Sequence, residues 1–284
     1  MVLPMSIGRF SALILASSFA LFACSEANDQ APLTRLPTEK PAADIAKTQN
    51  RSKVIHVLVA LCDNENQGIV PVSATLGNGQ DPVRNLYWGA AFGVKTFFSK
   101  SANWTKVSET KNPKPGVLER VVFKHKSGGT ILVADAYDGS RMKETIDDFF
   151  TAASGNKREN VDVAGETIQV FSSANLIAFV GHDGLMDFHY EKRITKKDED
   201  PRDAVILACA SKQYFAAPLK RTGAQPLLWT TNLMAPEAYI LHEALEGWIK
   251  NETGEQVRVR AANAYAKYQK ISQRAALGLF ATDW

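Results

Sequence analysis

The chain is poor in cysteine and in charge of one sign, and each shortage removes a class of protein. Three cysteines in 284 residues, at positions 24, 62 and 209, are too few for a disulfide-stapled scaffold and lack the paired spacing of a zinc site. Lys and Arg total 33 against 30 Asp and Glu, a net charge of +3. Basic residues gather only in short mixed stretches such as Lys192 to Lys197, so no nucleic-acid partner is expected. The glycine-rich stretch from Gly77 to Asp81 lacks both the third Gly of a dinucleotide loop and the Lys-Ser/Thr of a phosphate loop, so no cofactor is implied. Asp135 and Asp138 offer two carboxylates at one strand end, which is weak evidence for a metal; a loop is the expected reading and no metal is expected. What is present is ordinary: 45% hydrophobic and 22% charged residues, a globular composition with room for one or two domains.

The N-terminus carries a targeting segment. Arg9 precedes an apolar stretch from Phe10 to Ala23 that is too short to span a bilayer comfortably and reads as a signal peptide over 1–23. The run closes on Leu21-Phe22-Ala23-Cys24. That sequence resembles a bacterial lipobox, where the signal is removed and the new N-terminal Cys24 is lipidated, although Phe22 is unusual there. Cleavage after Ala23 by the small-residue rule is the other route, and it would leave a secreted or periplasmic soluble protein. Acyl chains on Cys24 would tether the protein to a membrane through their buried methylenes. Ser25 follows Cys24 in place of the Asp that resembles an inner-membrane retention signal, so the outer membrane of the cell envelope is expected, facing the periplasm or the exterior. Residues 24–52 have no aromatic residue and read as a tether, leaving 53–284 as one folded domain.

Within that domain strands alternate with helices. Val54 to Leu61 suits a central strand buried on both faces. A helical stripe runs through Leu86, Ala90, Val94, Phe97 and Phe98, and 120–123 with 130–134 reads as a hairpin or strand pair. Further helices are expected over 143–153, 235–250 and 256–274, a small hairpin over 160–170, and strands over 176–180, 204–208 and 226–231. This alternation predicts an α/β fold, a three-layer α/β/α sandwich with a mainly parallel sheet. In such folds ligands bind beyond the carboxyl ends of the strands.

Two of those ends carry chemistry. His182 follows the strand Leu176–Val180, and Cys209 follows the strand ending at Ala208. Neighbouring parallel strands share a direction and lie about 4.8 Å apart, so a Cys-His pair on one rim is geometrically accessible. A thiolate is the nucleophile, and an imidazole stabilises it and then protonates the leaving amine. Backbone N–H groups of Asp183, Gly184 and Cys209 could form an oxyanion hole.

The segments Leu176-Ile177-Ala178-Phe179-Val180-Gly181-His182-Asp183-Gly184 and Ala204-Val205-Ile206-Leu207-Ala208-Cys209 resemble, in order and spacing, the strand ends of the clan CD cysteine peptidases, the caspase, gingipain and legumain group. Thr222 to Trp229 and the helix from Pro236 look like the later strand and helix of that fold, so the resemblance runs over roughly 53–250. It implies a caspase-like fold and a peptidase or amidase with Cys209 as nucleophile and His182 as acid/base, acting on a peptide or protein substrate. In the sheet order of that family the His182 strand separates the strands ending at Cys62 and Cys209. Such a gap, roughly two strand spacings, exceeds the span of a disulfide, so Cys62 is expected to be unpaired.

Other readings of the same residues stay open. Cys209 after four aliphatic residues also fits a core thiol, and His182 also fits a loop histidine bonded to a carbonyl. Asp183 stands where the resembled family usually has Gly, which favours an inactive, caspase-like surface lipoprotein used as a binding or scaffolding module. Asp63 and Asn64, after the first strand, sit where those peptidases often build the pocket for the residue before the scissile bond, and they equally suit turn chemistry.

Overall fold

The stretch richest in β-branched residues forms β1 (Val54–Ala60), with six of its seven residues buried. In the computed structural model, which describes residues 52–284, β1 lies inside an eight-stranded sheet. The expected signal segment, Cys24 with its lipid, and all but the last residue of the tether fall outside the described residues. In chain order the other strands are β2 (Trp104–Lys114), β3 (Val117–His125), β4 (Ile131–Tyr137), β5 (Arg158–Val163), β6 (Glu166–Phe171), β7 (Leu176–Val180), β8 (Asp203–Leu207), β9 (Gln225–Thr230) and β10 (Phe280–Ala281). The α-helices are α1 (Val94–Ser99), α2 (Met142–Ala153), α3 (Ser211–Thr222), α4 (Ala238–Ile249), α5 (Gly254–Gln269) and α6 (Gln273–Gly278).

The sheet order is β10-β9-β8-β7-β1-β4-β3-β2, with β5 and β6 forming a separate hairpin. Strands β4, β1, β7, β8 and β9 are parallel, whereas β3 runs against β4, β2 against β3 and β10 against β9. The sheet is therefore mixed, not mainly parallel as the sequence suggested. The connections from β2 to β3 and from β3 to β4 are too short for a crossover, and a short connection can only reverse the chain.

Alternate residues of β1 face two separate apolar clusters. Ile55, Val57 and Val59 join residues of α4 and α5 in one, while Leu58 and Ala60 join residues of α2 and α3 in the other. This period of two on a strand covered by helices explains why β1 is apolar along almost its whole length. None of the helices among the described residues is long and apolar enough to cross a membrane.

Two helical expectations change. The predicted 86–98 helix begins only at Val94 and runs Val94–Ser99. Asn85 instead clamps the backbone of Cys62 with both side-chain atoms, and Gly89 and Gly93 lie so close to the backbone of Val83 and Trp88 that a Cβ would collide. The expected 256–274 helix is two: Lys270 adopts a left-handed φ of 56° and Ser272 caps α6.

Polar groups also sit inside this core. Asp135 lies within β4, wholly buried, not in the loop its neighbours suggested, and accepts from Arg120 Nε at 2.5 Å and Nη2 at 2.7 Å. Phe171 N–H donates to His56 Nδ1, which leaves the His56 proton on Nε2, 3.1 Å from Asp135. Burial pulls His56 below its ordinary pKa, so it serves as a neutral donor. Arg120 and His56 hold the Asp135 carboxyl well below the usual carboxylate range against the cost of burial. Removing one member of a buried ionic group leaves an uncompensated charge, at a cost of about 3–5 kcal/mol. Arg120→Ala should therefore lower unfolding free energy by that amount in urea titrations. Because the folded Asp135 pKa is depressed, its contribution is present above the unfolded value and is lost as pH falls below about 4.

Candidate active site at the carboxyl rim of the sheet

Five parallel strands end on one rim, and their terminal loops hold the residues of interest. The register pairs Val180 with Leu207 across β7 and β8, and the ladder continues as Gly181 N–H donates to the Leu207 carbonyl at 3.1 Å. His182 and Cys209 each follow that last pair by two residues, in the loops beyond the two strand ends. β7 also lies between β1 and β8, so the strands ending at Cys62 and Cys209 are not neighbours. Both thiols are free, Cys62 buried and Cys209 half-buried.

Cys209 is presented by a tight strand-to-helix turn. The next residue, Ala210, takes a left-handed φ of 47° before α3, a conformation that costs a non-glycine residue energy and that surrounding structure must enforce. Enforcement comes from β9: Thr230 Oγ1 bonds the Ala208 carbonyl and accepts from Ser211 N–H at 3.0 Å. The Cys209 thiol meets the backbone of Met234, with Sγ 3.4 Å from both Met234 N and O.

His182 is 7% exposed and its Nε2 lies 2.7 Å from Asp187 Oδ2. Asp187 also accepts from the N–H of Gly68, which ties the His182 loop to the loop after β1. The carboxylate engages Nε2, and no hydrogen bond is made to Nδ1 among the described residues. No hydrogen bond joins Cys209 directly to His182 among the described residues.

The side chain of Asp183 turns under its own loop. Its Oδ1 accepts from Leu185 N–H at 3.0 Å and caps the short helical turn Gly184–Met186, while Oδ2 is buried with no partner among the described residues. Burial pushes this carboxyl up to about 7, against the lowering effect of the Leu185 N–H and with help from the charge of Asp187. Gly184 N–H is bonded to the His182 carbonyl. The N–H groups of Asp183 and Cys209 meet no acceptor among the described residues; Asp183 is wholly buried, whereas Cys209 is half-buried, so of the two only the Cys209 N–H belongs to a residue that reaches the surface.

Asp63 is 1% exposed. Its carboxylate accepts from the N–H groups of Glu65 and Asn66 and from the side chains of Asn66 and Gln80. It holds a turn together and presents no free oxygen to a cationic residue. Asn64 forms a two-way clamp with the backbone of Val72. A groove of about 550 Å³ opens beside these loops, lined among others by Asn66, Met142, Asp187 and Phe188.

Reading the sequence missed Asp187, Met234 and Tyr87. An acid five residues after His182, within the same loop, was the available signal for Asp187. Tyr87 lies against Cys62 and in the field of Cys209, but it belongs to the loop misread as a helix. No protein-family model, curated protein or solved structure matches this chain. Among the described residues no group of three or more His, Cys, Asp or Glu side chains is arranged to hold a metal ion.

Two measurements follow from this geometry. Burial raises the Cys62 thiol to about 11, with the hydrogen bond from Tyr87 opposing and Asp63 adding. Iodoacetamide at pH 8 should therefore modify Cys209 in the native protein and Cys62 only after unfolding, as read by peptide mapping. For Asp183 the folded pKa is raised, so the unfolded chain releases its proton first as pH increases. The carboxyl then destabilises the fold progressively from about pH 4 to pH 7 and by a constant amount above, on the order of 4 kcal/mol. Denaturant titrations of the chain and of Asp183→Asn should diverge across that window, with the variant gaining relative stability at higher pH.

Proposed function

We propose that this chain is a cysteine hydrolase of peptide or amide bonds, with a three-layer α/β/α domain similar to the clan CD peptidases. The observation that carries the reading is the β7–β8 register, which ends with Val180 opposite Leu207, so that His182 and Cys209 each stand two residues beyond paired strand ends on one rim. Cys209 is the nucleophile, His182 the acid/base and Asp187 the residue that orients the imidazole, an order of roles recognised by geometry and not by sequence position.

In the acylation step Cys209 Sγ attacks the carbonyl carbon while its proton passes to His182 Nδ1. The oxyanion that forms accepts from the Cys209 N–H, a donor with no other acceptor among the described residues and already in place at that moment. Collapse breaks the C–N bond, and His182 returns the proton to the leaving amine. Water then releases the acyl group by the reverse proton path. The exposed side chains of Met186 and Leu233 flank this rim, one in the His182 loop and one beside Met234, and offer apolar contact to an extended peptide.

The sequence supports export by the signal segment at 1–23 and anchoring through a lipid on Cys24 to the outer membrane, facing periplasm or exterior. The non-catalytic reading, a surface lipoprotein that uses the fold as a scaffold, is favoured by one observation: the Cys209 thiol is bonded to the Met234 backbone and not to His182.

Hydrolysis of a fluorogenic peptide library separates the two. Catalysis should fall by about 10³-fold or more in Cys209→Ala and His182→Ala. In Asp187→Asn it should fall by about 10²-fold, with circular dichroism unchanged in all three. Hydrolysis that survives Cys209→Ala, or none by the reduced parent chain on any library member, would sink the peptidase reading and leave the scaffold.

A further inference from the structure

A second nucleophile–base–acid arrangement lies away from that rim. Ser101, just after α1, has its Oγ 2.8 Å from His242 Nε2, and His242 Nδ1 lies 3.2 Å from Glu243 Oε1. Asn103 N–H donates to Ser101 Oγ at 3.1 Å, which occupies a lone pair and directs the hydroxyl proton to His242. Nε2 is then the acceptor and Nδ1–H the donor to Glu243. His242 is 9% exposed, with the rings of Phe97 and Phe98 against it at 5.6 and 5.4 Å and Glu246 Oε1 3.9 Å from Nε2. Glu243 is held in turn by Arg260.

This arrangement opens on a cleft of about 720 Å³ whose walls include Phe92, Phe97, Tyr239 and Tyr268. The rings of Tyr239 and Tyr268 stack at 4.2 Å. That volume lies within the range of small-molecule sites, and an aromatic lining with a few convergent polar groups is their usual composition. Ala102, the residue after Ser101, also lines the cleft, and its N–H meets no acceptor among the described residues.

We propose that Ser101, His242 and Glu243 form a serine-esterase site for carboxylic esters of small apolar or aromatic acids, independent of Cys209. Ser101 Oγ bonds to the ester carbonyl carbon as its proton moves to His242 Nε2, and Glu243 stabilises the imidazolium. The Ala102 N–H donates to the oxyanion. The ester C–O bond breaks, and the alkoxide takes the proton from His242 and leaves as the alcohol. Water, deprotonated by the same nitrogen, adds to the acyl-enzyme, and the acid departs as Ser101 Oγ recovers its proton. The aromatic walls hold the acyl group, and Lys100 and Lys267 at the same cleft favour acyl groups with no positive charge.

The test is a fluorophosphonate probe on the full chain, mapped by peptide mass spectrometry, alongside p-nitrophenyl butyrate hydrolysis. One adduct on the Ser101 peptide is expected, absent in Ser101→Ala, slowed at least 100-fold in His242→Gln and still formed in Cys209→Ala. Ester turnover should follow the adduct in every variant. A folded chain that takes no adduct, an adduct on another residue, or a Ser101 labelling rate indifferent to His242→Gln overturns the proposal. Loss of peptide hydrolysis in Cys209→Ala with Ser101 labelling intact shows the two sites to be separate.

Discussion

The backbone ladder that holds β7 between β1 and β8 is the constraint on which the carboxyl rim depends. Parallel strands in register bring their ends to a common edge, and the residue that terminates each strand becomes a neighbour of the next terminus without any contact between the two. Five parallel strands run through the middle of this sheet, so the loops after β1, β4, β7 and β8 converge there. Gly68 donating to Asp187 and Gln67 donating to the carbonyls of Leu61 and Gly139 stitch three of those loops together. The position of His182 is thus fixed by backbone hydrogen bonds on both sides of its strand, with Asp187 setting only the rotation of the ring.

Much of this was readable in the sequence, and the failures have physical causes. Fully buried central strands announce themselves as aliphatic runs: β1, β7 and β8 were found within a residue or so because each is apolar on both faces. The β5–β6 hairpin was found from its Ala164-Gly165 turn, where both residues have positive φ. β2 was not, because it is an exposed edge strand with one buried residue at Trp104 and no alternation to detect. The false helix before α1 shows the opposite error. Apolar residues at helical spacing appear there because α1 supplies Val94, Phe97 and Phe98 while Leu86 packs against the same core from a loop, and periodicity cannot tell the two apart when a side-chain clamp such as Asn85 supplies the backbone's partners. α3 escaped notice because Pro218 stands inside it, a residue that ordinarily argues against a helix interior.

At the site the sequence named the two strand-end residues but not their partners. His182 and Cys209 follow apolar strands and so inherit positions from secondary structure alone. Asp187, Met234 and the locked turn at Ala210 depend on where loops fold back, which no local pattern records. Asp183 illustrates the difference most sharply. As a letter it occupies a position suited to Gly and counts against an oxyanion loop; in the fold its side chain turns beneath the loop to cap Gly184–Met186, and the whole residue is buried, so the loop offers no exposed Asp183 N–H. The burden falls on the carboxyl itself, buried with one oxygen unpartnered, an arrangement more costly to stability than to the geometry of the loop.

The polar groups near α4 are arranged by the same logic of enclosure. Glu246, 4% exposed, accepts from Trp104 Nε1 at 3.1 Å and meets His125 Nε2 at 3.2 Å, so its charge is matched from β2 and β3 before α4 contributes anything. Four residues earlier on the same helix face, His242 sits within the reach of that carboxylate but turns its Nε2 to Ser101 at 2.8 Å and its Nδ1 to Glu243. A histidine buried only to fill space would be expected to bond one backbone carbonyl and bury the other nitrogen against carbon. Here both nitrogens are engaged by side chains on opposite sides of the ring, one a hydroxyl bordering the cleft and the other a carboxylate. Buried polar chains of this kind are costly unless every member is matched. The matching at Glu246 and Arg260 therefore fixes the imidazole in the one orientation from which it can exchange a proton with a hydroxyl that borders solvent-filled space.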